Sequence, residues 1–183
     1  YDNISPFRYL LRYFPHFRHD EAVGKYIVPI NPEYHRVLFP DYVSPNSRQL
    51  LLFQAENTVG NAIKLAYLCH AQTSQINPGD IVLFYRSGDE KAVTTLGVVE
   101  SYETLEQPDV IAGRVKRRTV YSMEEINKMA TKPVKVMLFR LVKHLSFPLS
   151  NQWLQESSVL QGPPQSITRI SHDAFERIIS YEL

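Results

Sequence analysis

The stretch PGDIVLFYRSGDEKAVTTLGVVESYE, Pro78 to Glu103, constrains the fold more than any other part of the chain: two apolar runs flank a short polar tip carrying Gly88 and Asp89. Branched and aromatic side chains pack well on a pleated surface, so two such runs joined by a short Gly-containing connection predict a β-hairpin. Neither run contains a nucleophile poised for chemistry. PVKVMLFRLVKH, Pro133 to His144, alternates Val134, Val136 and Leu138 with Lys135 and Met137, and predicts a central strand. KYIVPI, Lys25 to Ile30, predicts another strand, RTVYS, Arg118 to Ser122, a short one, and the residues after the rigid turn GPPQ one more.

Helices are predicted between these strands. In SPFRYLLRYFP, Ser5 can cap, Pro6 can take the first helical position, and Phe7, Leu10, Leu11 and Phe14 recur at helical spacing before Pro15. Asn61 can cap a helix through AIKLAYLCHA, with Ile63, Ala66 and Tyr67 on one face. Ser122 and Glu125 stand at capping-box spacing, SNQWLQES gives a short helix from Ser150, and Ser171 caps a last helix with Ile170 and Phe175 at staple positions. INPEYHRVLFPDYVSPNSRQ, broken by Pro32, Pro40 and Pro45, reads as turns and loop. About five or six strands among short helices, without regular βαβ alternation, indicate an α+β fold.

The polar run HFRHDEAVG, His16 to Gly24, reads as a connector, dividing the chain into an N-terminal helix and linker, 1–22, and a domain, 23–183. Beginning at Tyr1 with a helix already under way, the sequence reads as part of a longer chain whose remainder holds an effector domain. With 183 residues, 44% of them hydrophobic, the chain can build a sizeable core. A single cysteine, Cys69, excludes an intramolecular disulfide and suits a reducing cytoplasm. The longest apolar runs, such as Val136 to Val142, are too short to span a bilayer, so no membrane partner is expected.

The six histidines are scattered, none of them at zinc-like spacing with Cys69 or a carboxylate, and there is no GxSxG, P-loop or dinucleotide fingerprint. No metal, cofactor or catalytic residue is therefore expected. NTVGNA, Asn57 to Ala62, opens a predicted helix with small residues, as a pyrophosphate-cradling loop does, but lacks the preceding strand and first residue of an acetyl-CoA site. A formal charge of +1 leaves nucleic-acid contact to local patches. RVKRR supplies one, with Arg114, Lys116, Arg117 and Arg118 as phosphate contacts and Tyr121 able to stack a base; a solvated loop is the plainer reading. Arg140, Lys143 and His144 form a second, weaker positive locus.

The hairpin sequence resembles the strand pair of the PUA-like superfamily, most nearly its EVE branch, where a GD-x-hydrophobic-hydrophobic-FY-x-S strand precedes one with a glycine before its valines. NAIKLAYLCH is similar to the helix that precedes GD there, PVKVMLFRLVKHLSFPLS to the long strand with its PLS exit, and GPPQSITRISHDAFERI to the closing segment that EVE and YTH domains share. The resemblance covers about Lys25 to Ile179. It implies a small, partly open β-barrel of five to six strands flanked by short helices. Between barrel and helix it implies a pocket that accepts a modified base flipped out of DNA or RNA, held without reaction.

Carried over by position, the resemblance puts Asn61, Ala62, Tyr85, Arg86, Ser87, Gln165, Ser166 and Arg169 on pocket-lining segments. Each has a plainer use: Tyr85 in the core, Ser87 in a turn, Asn61 as a cap. Trp153 stands alone in a short predicted helix, so the tryptophan cage of YTH domains is not evident. The segments Ser44 to Asn57 and Gln107 to Tyr121 look longer than an average member needs. The expected function is a non-catalytic nucleic-acid-binding module. The alternatives are an accessory domain of an N-acetyltransferase-type enzyme, since the signature also resembles modules attached behind such enzymes in bacteria, and a protein-interaction domain.

Overall fold

The computed structural model describes residues 4–44, 63–73, 75–118 and 120–182. Its strands are β1 (Lys25–Ile30), β2 (Lys64–Cys69), β3 (Ile81–Arg86), β4 (Ala92–Leu105), β5 (Val134–Ser150) and β6 (Thr168–Arg169). Its helices are α1 (Pro6–Tyr13), α2 (Pro32–Leu38), α3 (Pro108–Val115), α4 (Met123–Met129), α5 (Asn151–Glu156) and α6 (His172–Glu182), with a 3-10 turn at Lys116–Arg118. The strands form one six-stranded sheet in the order β2-β5-β4-β3-β1-β6. Among the described strands, only β1 and β3 pair in parallel. The hairpin is β3 with β4, as the sequence predicts.

Period-two alternation sorts the strand side chains into three cores. Tyr26, Val28, Val82, Phe84, Tyr67 and Phe139 pack together inside the curled sheet. Their neighbours Ile27, Ile81, Leu83 and Tyr85 face outward against Leu154 of α5 and Phe175 of α6. On another outer face, Ala66, Leu68, Val136 and Leu138 lie under Ile111 of α3 and Ile126 of α4. The curl brings the first strand in the sheet order back toward the far side: the Tyr67 hydroxyl donates to the Pro29 carbonyl at 2.7 Å. The result is a barrel left partly open at the seam between β2 and the β1/β6 edge.

Gly97 makes this curvature possible on β4, because a Cβ there would sit 2.8 Å from the Phe139 ring. Gly79, at φ +96°, lets the turn before β3 pass against Pro6 and Phe7, seating α1 with Leu10 fully buried. The caps predicted at Ser5, Ser122, Ser150 and Ser171 form, while Asn61 lies outside the described residues. Ser122 and Glu125 make a reciprocal capping box, and the Ser171 hydroxyl accepts from Ala174 N at 3.1 Å.

Three expectations are corrected. The apolar part of NAIKLAYLCH is a strand, β2, rather than a helix: its alternate residues are buried on both faces, by the barrel interior and by α3 and α4, so no polar stripe reveals the period. NPEYHRVL is helix α2 rather than loop, with Asn31 as cap and Pro32 in the first turn, where a missing N–H costs nothing. The segment around RVKRR is likewise helical, opened by Pro108, and no strand forms at Val120–Ser122. The strand predicted from Pro133 runs on to Ser150 and lies one place in from the sheet edge.

Candidate functional site

Because β1 and β3 are parallel, with Ile30 opposite Arg86, their chains exit side by side as Asn31 and Ser87. The Ser87 amide and hydroxyl both donate to the Ile30 carbonyl at 3.0 Å, fixing the two exits together. Across the seam, Tyr67, Cys69, His70 and Ala71 form a second wall, and Gln165, Ser166 and Ile167 a third. With Pro29 they line a cleft of ≈ 350 Å³, within the usual range of about 300–1,000 Å³ for small-ligand sites.

The hydrogen bonds inside the walls determine which groups remain free. Asn31 Oδ1 accepts from Glu33 N at 2.9 Å to cap α2, leaving the amide nitrogen as a free donor among the described residues. Gln165 Nε2 donates to the Pro163 carbonyl at 3.2 Å, leaving Oε1 as an acceptor. His70 Nδ1 meets the Pro133 carbonyl at 3.1 Å, and since a carbonyl only accepts, this nitrogen carries the proton and Nε2 is left over. Burial pushes the Tyr67 phenol well above its ordinary value and raises the Cys69 thiol, so both stay protonated at neutral pH. The cleft therefore offers fixed donors and acceptors beside an apolar wall, without an activated nucleophile.

A polar chain supports α2 from below. His35 Nε2 lies 2.7 Å from the Thr94 hydroxyl, Thr95 lies 2.9 Å from His144 Nδ1, and His144 Nε2 lies 3.1 Å from Asp41. The two threonine hydroxyls, 3.2 Å apart, join the halves.

Of the expected site residues, Ser87, Gln165 and Ser166 come together in the cleft. Asn61 and Ala62 lie outside the described residues. Tyr85 and Arg86 do not reach it. Tyr85, 1% exposed, points to the opposite face of the sheet, because the residue beside an inward-facing Phe84 must face out. Arg86, 6% exposed, is held by Asp89, with Nε at 2.8 Å, and by Glu90 at 3.4 Å. Arg169 lies toward the other end of β1, on the walls of two further hollows of ≈ 340 and ≈ 390 Å³.

The basic run is partly neutralised. Arg114 pairs with Glu103, and Arg118 meets Glu100 at 2.7 Å, while Lys116 is exposed; the Arg117 side chain lies outside the described residues. Sequence reasoning missed Pro29, Asn31, Tyr67, Cys69 and His70. The available signal was the Asn31-Pro32 cap pair directly after a strand, which marks a helix start at a strand's end.

The EVE domain family model matches residues 66–181 of the chain. No curated protein matches the sequence. Among solved structures, ASCH from Zymomonas mobilis aligns at a TM-score of 0.64 and 14% identity, over 85% of this chain and 94% of that one. A hypothetical protein from Leishmania major aligns at 0.51 and 13% identity, over 87% and 94%. Human THYN1, solved in complex with 5-methylcytosine-containing DNA, aligns at 0.48 and 12% identity, over 87% and 97%. The first two likenesses show that the fold is shared. Among the described residues, no helix is long and apolar enough to cross a membrane.

Proposed function

The chain belongs to the EVE domain family, and from that premise we propose that it is a non-catalytic module holding one base of DNA or RNA in the seam cleft. The observation that carries this reading is the set of polar groups, free among the described residues, that two separate segments bring around a single hollow: the Asn31 amide at the exit of β1, and Gln165 Oε1 and the Ser166 hydroxyl before β6. A base edge presents donors and acceptors in one plane, and a rigid polar rim of this kind can match such an edge. Pro29, Tyr67 and Ile167 add an apolar wall against which a ring or a methyl group fits. A flipped or unpaired base, plain or modified, is the ligand class these walls suit.

The test is fluorescence-polarisation binding of labelled DNA and RNA, single- and double-stranded, plain or carrying one methylated or hydroxymethylated base. Wild type is compared with Gln165→Ala and Ser166→Ala. Dependence on one base form, reduced about tenfold or more by either substitution, is the expected result, equal to the ≈1.4 kcal/mol of one good polar contact. Equal binding of all base forms by all three proteins, or no binding at low salt, overturns the reading.

A further inference from the structure

At the end of β2 remote from the cleft, Lys64 stands opposite Arg140 of β5 in the strand register. Arg140 Nε meets Glu100 Oε1 at 2.7 Å, and Arg118 Nη1 meets Glu100 Oε2 at the same distance, so one carboxylate holds two guanidinium groups. Burial works to raise the Glu100 carboxyl, but the hydrogen bonds and charges of the two arginines outweigh it and keep the group ionised. Phe14 lies beneath Arg140, its ring centre 5.6 Å from the guanidinium carbon. The 3-10 turn carrying Lys116 and Arg118 packs against β2, and neither Lys64 nor Lys116 has a charge partner among the described residues. Two arginines thus share one carboxylate, with Lys64 beside Arg140 across the strand pair and Lys116 in the same turn as Arg118, on a chain whose net charge is only +1.

We propose that this corner is a phosphodiester-binding patch that grips the nucleic-acid backbone flanking the base held in the cleft, with Glu100 orienting its arginines and limiting its strength. The proposal rests on the reading of the cleft given above. Each arginine spends one N–H on Glu100 and keeps others free, and a fork of guanidinium donors fits phosphate oxygens. The distance sets a footprint. From Lys64 to Cys69, β2 runs five steps of ~3.3 Å, or about 17 Å. Phosphates of one duplex strand recur every ~3.4 Å along the axis, so for a duplex lying along β2 the patch is about five nucleotides from the bound base. Lys64 and Arg140 complete a site of which RVKRR alone supplies one side.

The experiment is a salt titration of oligonucleotide binding by the full chain and by Lys64→Ala, Arg140→Gln and Glu100→Gln, with and without the preferred base form. Lys64→Ala and Arg140→Gln are each expected to lower the slope of log affinity against log salt by about 0.9 on duplex or about 0.7 on single strands, equally for both base forms. Glu100→Gln is expected to raise affinity several-fold for every sequence without changing base preference. Shortening the oligonucleotide to fewer than about five nucleotides on one side of the base should erase the difference between Lys64→Ala and wild type. Unchanged slopes with intact base preference overturn the patch and leave the cleft reading standing. Changed slopes without any base preference support the patch and overturn the cleft reading. No binding by any protein overturns both. Lys64 is exposed on an edge strand, so Lys64→Ala decides the matter even where Arg140→Gln fails to fold.

Discussion

His35 Nε2 lies 2.7 Å from the Thr94 hydroxyl, and through Thr95 this contact connects to His144 and Asp41. The His35 ring is completely buried, and its Nδ1 has no partner among the described residues. A buried N–H without an acceptor costs more than a bare lone pair, so the proton belongs on Nε2, donating to Thr94. Desolvation, reinforced by the nearby Arg86 charge, lowers the His35 pKa to about 3. The ring is therefore a neutral tie between α2 and β4, and α2 is the helix whose cap, Asn31, lines the cleft.

That tie predicts a pH dependence of stability. In the unfolded chain the histidine binds a proton near its ordinary value of 6.5, whereas in the fold it does so only near 3. The unfolded state thus binds more protons throughout that window, and its contribution to stability is fully present above pH 6.5 and lost as pH falls toward 3. The loss is at most about 1.4 kcal/mol per pH unit. Urea midpoints measured between pH 7.5 and 5, where most carboxylates stay ionised, should hold down to about pH 6.5 and then fall for wild type, and stay flatter in His35→Gln. Parallel curves for the two proteins would show that His35 is not the linked group.

Asn31 has two separable jobs, since Oδ1 caps α2 while the amide nitrogen faces the cleft. Asp caps a helix as well as Asn does but has no amide donor, whereas Ala has neither. Asn31→Asp should therefore keep the melting temperature of wild type and lose affinity for the base-containing oligonucleotide. Asn31→Ala should lose affinity and about 1 kcal/mol of stability as well. If Asn31→Asp binds as wild type does, the amide makes no contact with the ligand.

The sequence carried the sheet much further than the site. Strand β1, the hairpin of β3 and β4, β5, and the caps at Ser122 and Ser171 were legible because each is specified by residues within one segment. The strand β2 was not, because Leu65 and Tyr67 are buried on one side and Ala66 and Leu68 on the other, which erases the alternation that distinguishes strand from helix. The cleft inherits this problem. Its walls are strand ends brought together by the curl of the sheet, so Tyr67 and Pro29 meet across 38 residues of sequence that no local pattern connects. Ser87, Gln165 and Ser166 were reachable only through their positions in the family resemblance.

Tyr85 shows how adjacency misleads in a strand. It precedes Arg86 and Ser87, but its ring is buried on the outer face among Leu83, Val93 and Leu149, and its hydroxyl has no partner among the described residues. An unpaired buried hydroxyl costs roughly 1–3 kcal/mol. Tyr85→Phe should therefore leave oligonucleotide affinity unchanged and raise the urea midpoint. A tenfold loss of binding with unchanged stability would instead place this side chain at the ligand.

Gly97 offers the most direct test of how tightly the sheet curls. A Cβ there would lie 2.8 Å from Phe139 Cδ2 and 3.0 Å from the Arg140 carbonyl oxygen, and the second of these is backbone that cannot swing away. Overpacking of a rigid core costs typically ~1–3 kcal/mol, and in a chain of this size each kcal/mol lowers the melting temperature by about 2–4 °C. Gly97→Ala should therefore melt at least ~2 °C below wild type. The strain falls on β5 beside Arg140, so the salt slope of binding should weaken along with stability while base preference is retained. A variant as stable as wild type would mean that β4 and β5 are farther apart at this point, and that the curl of the barrel does not depend on the missing side chain.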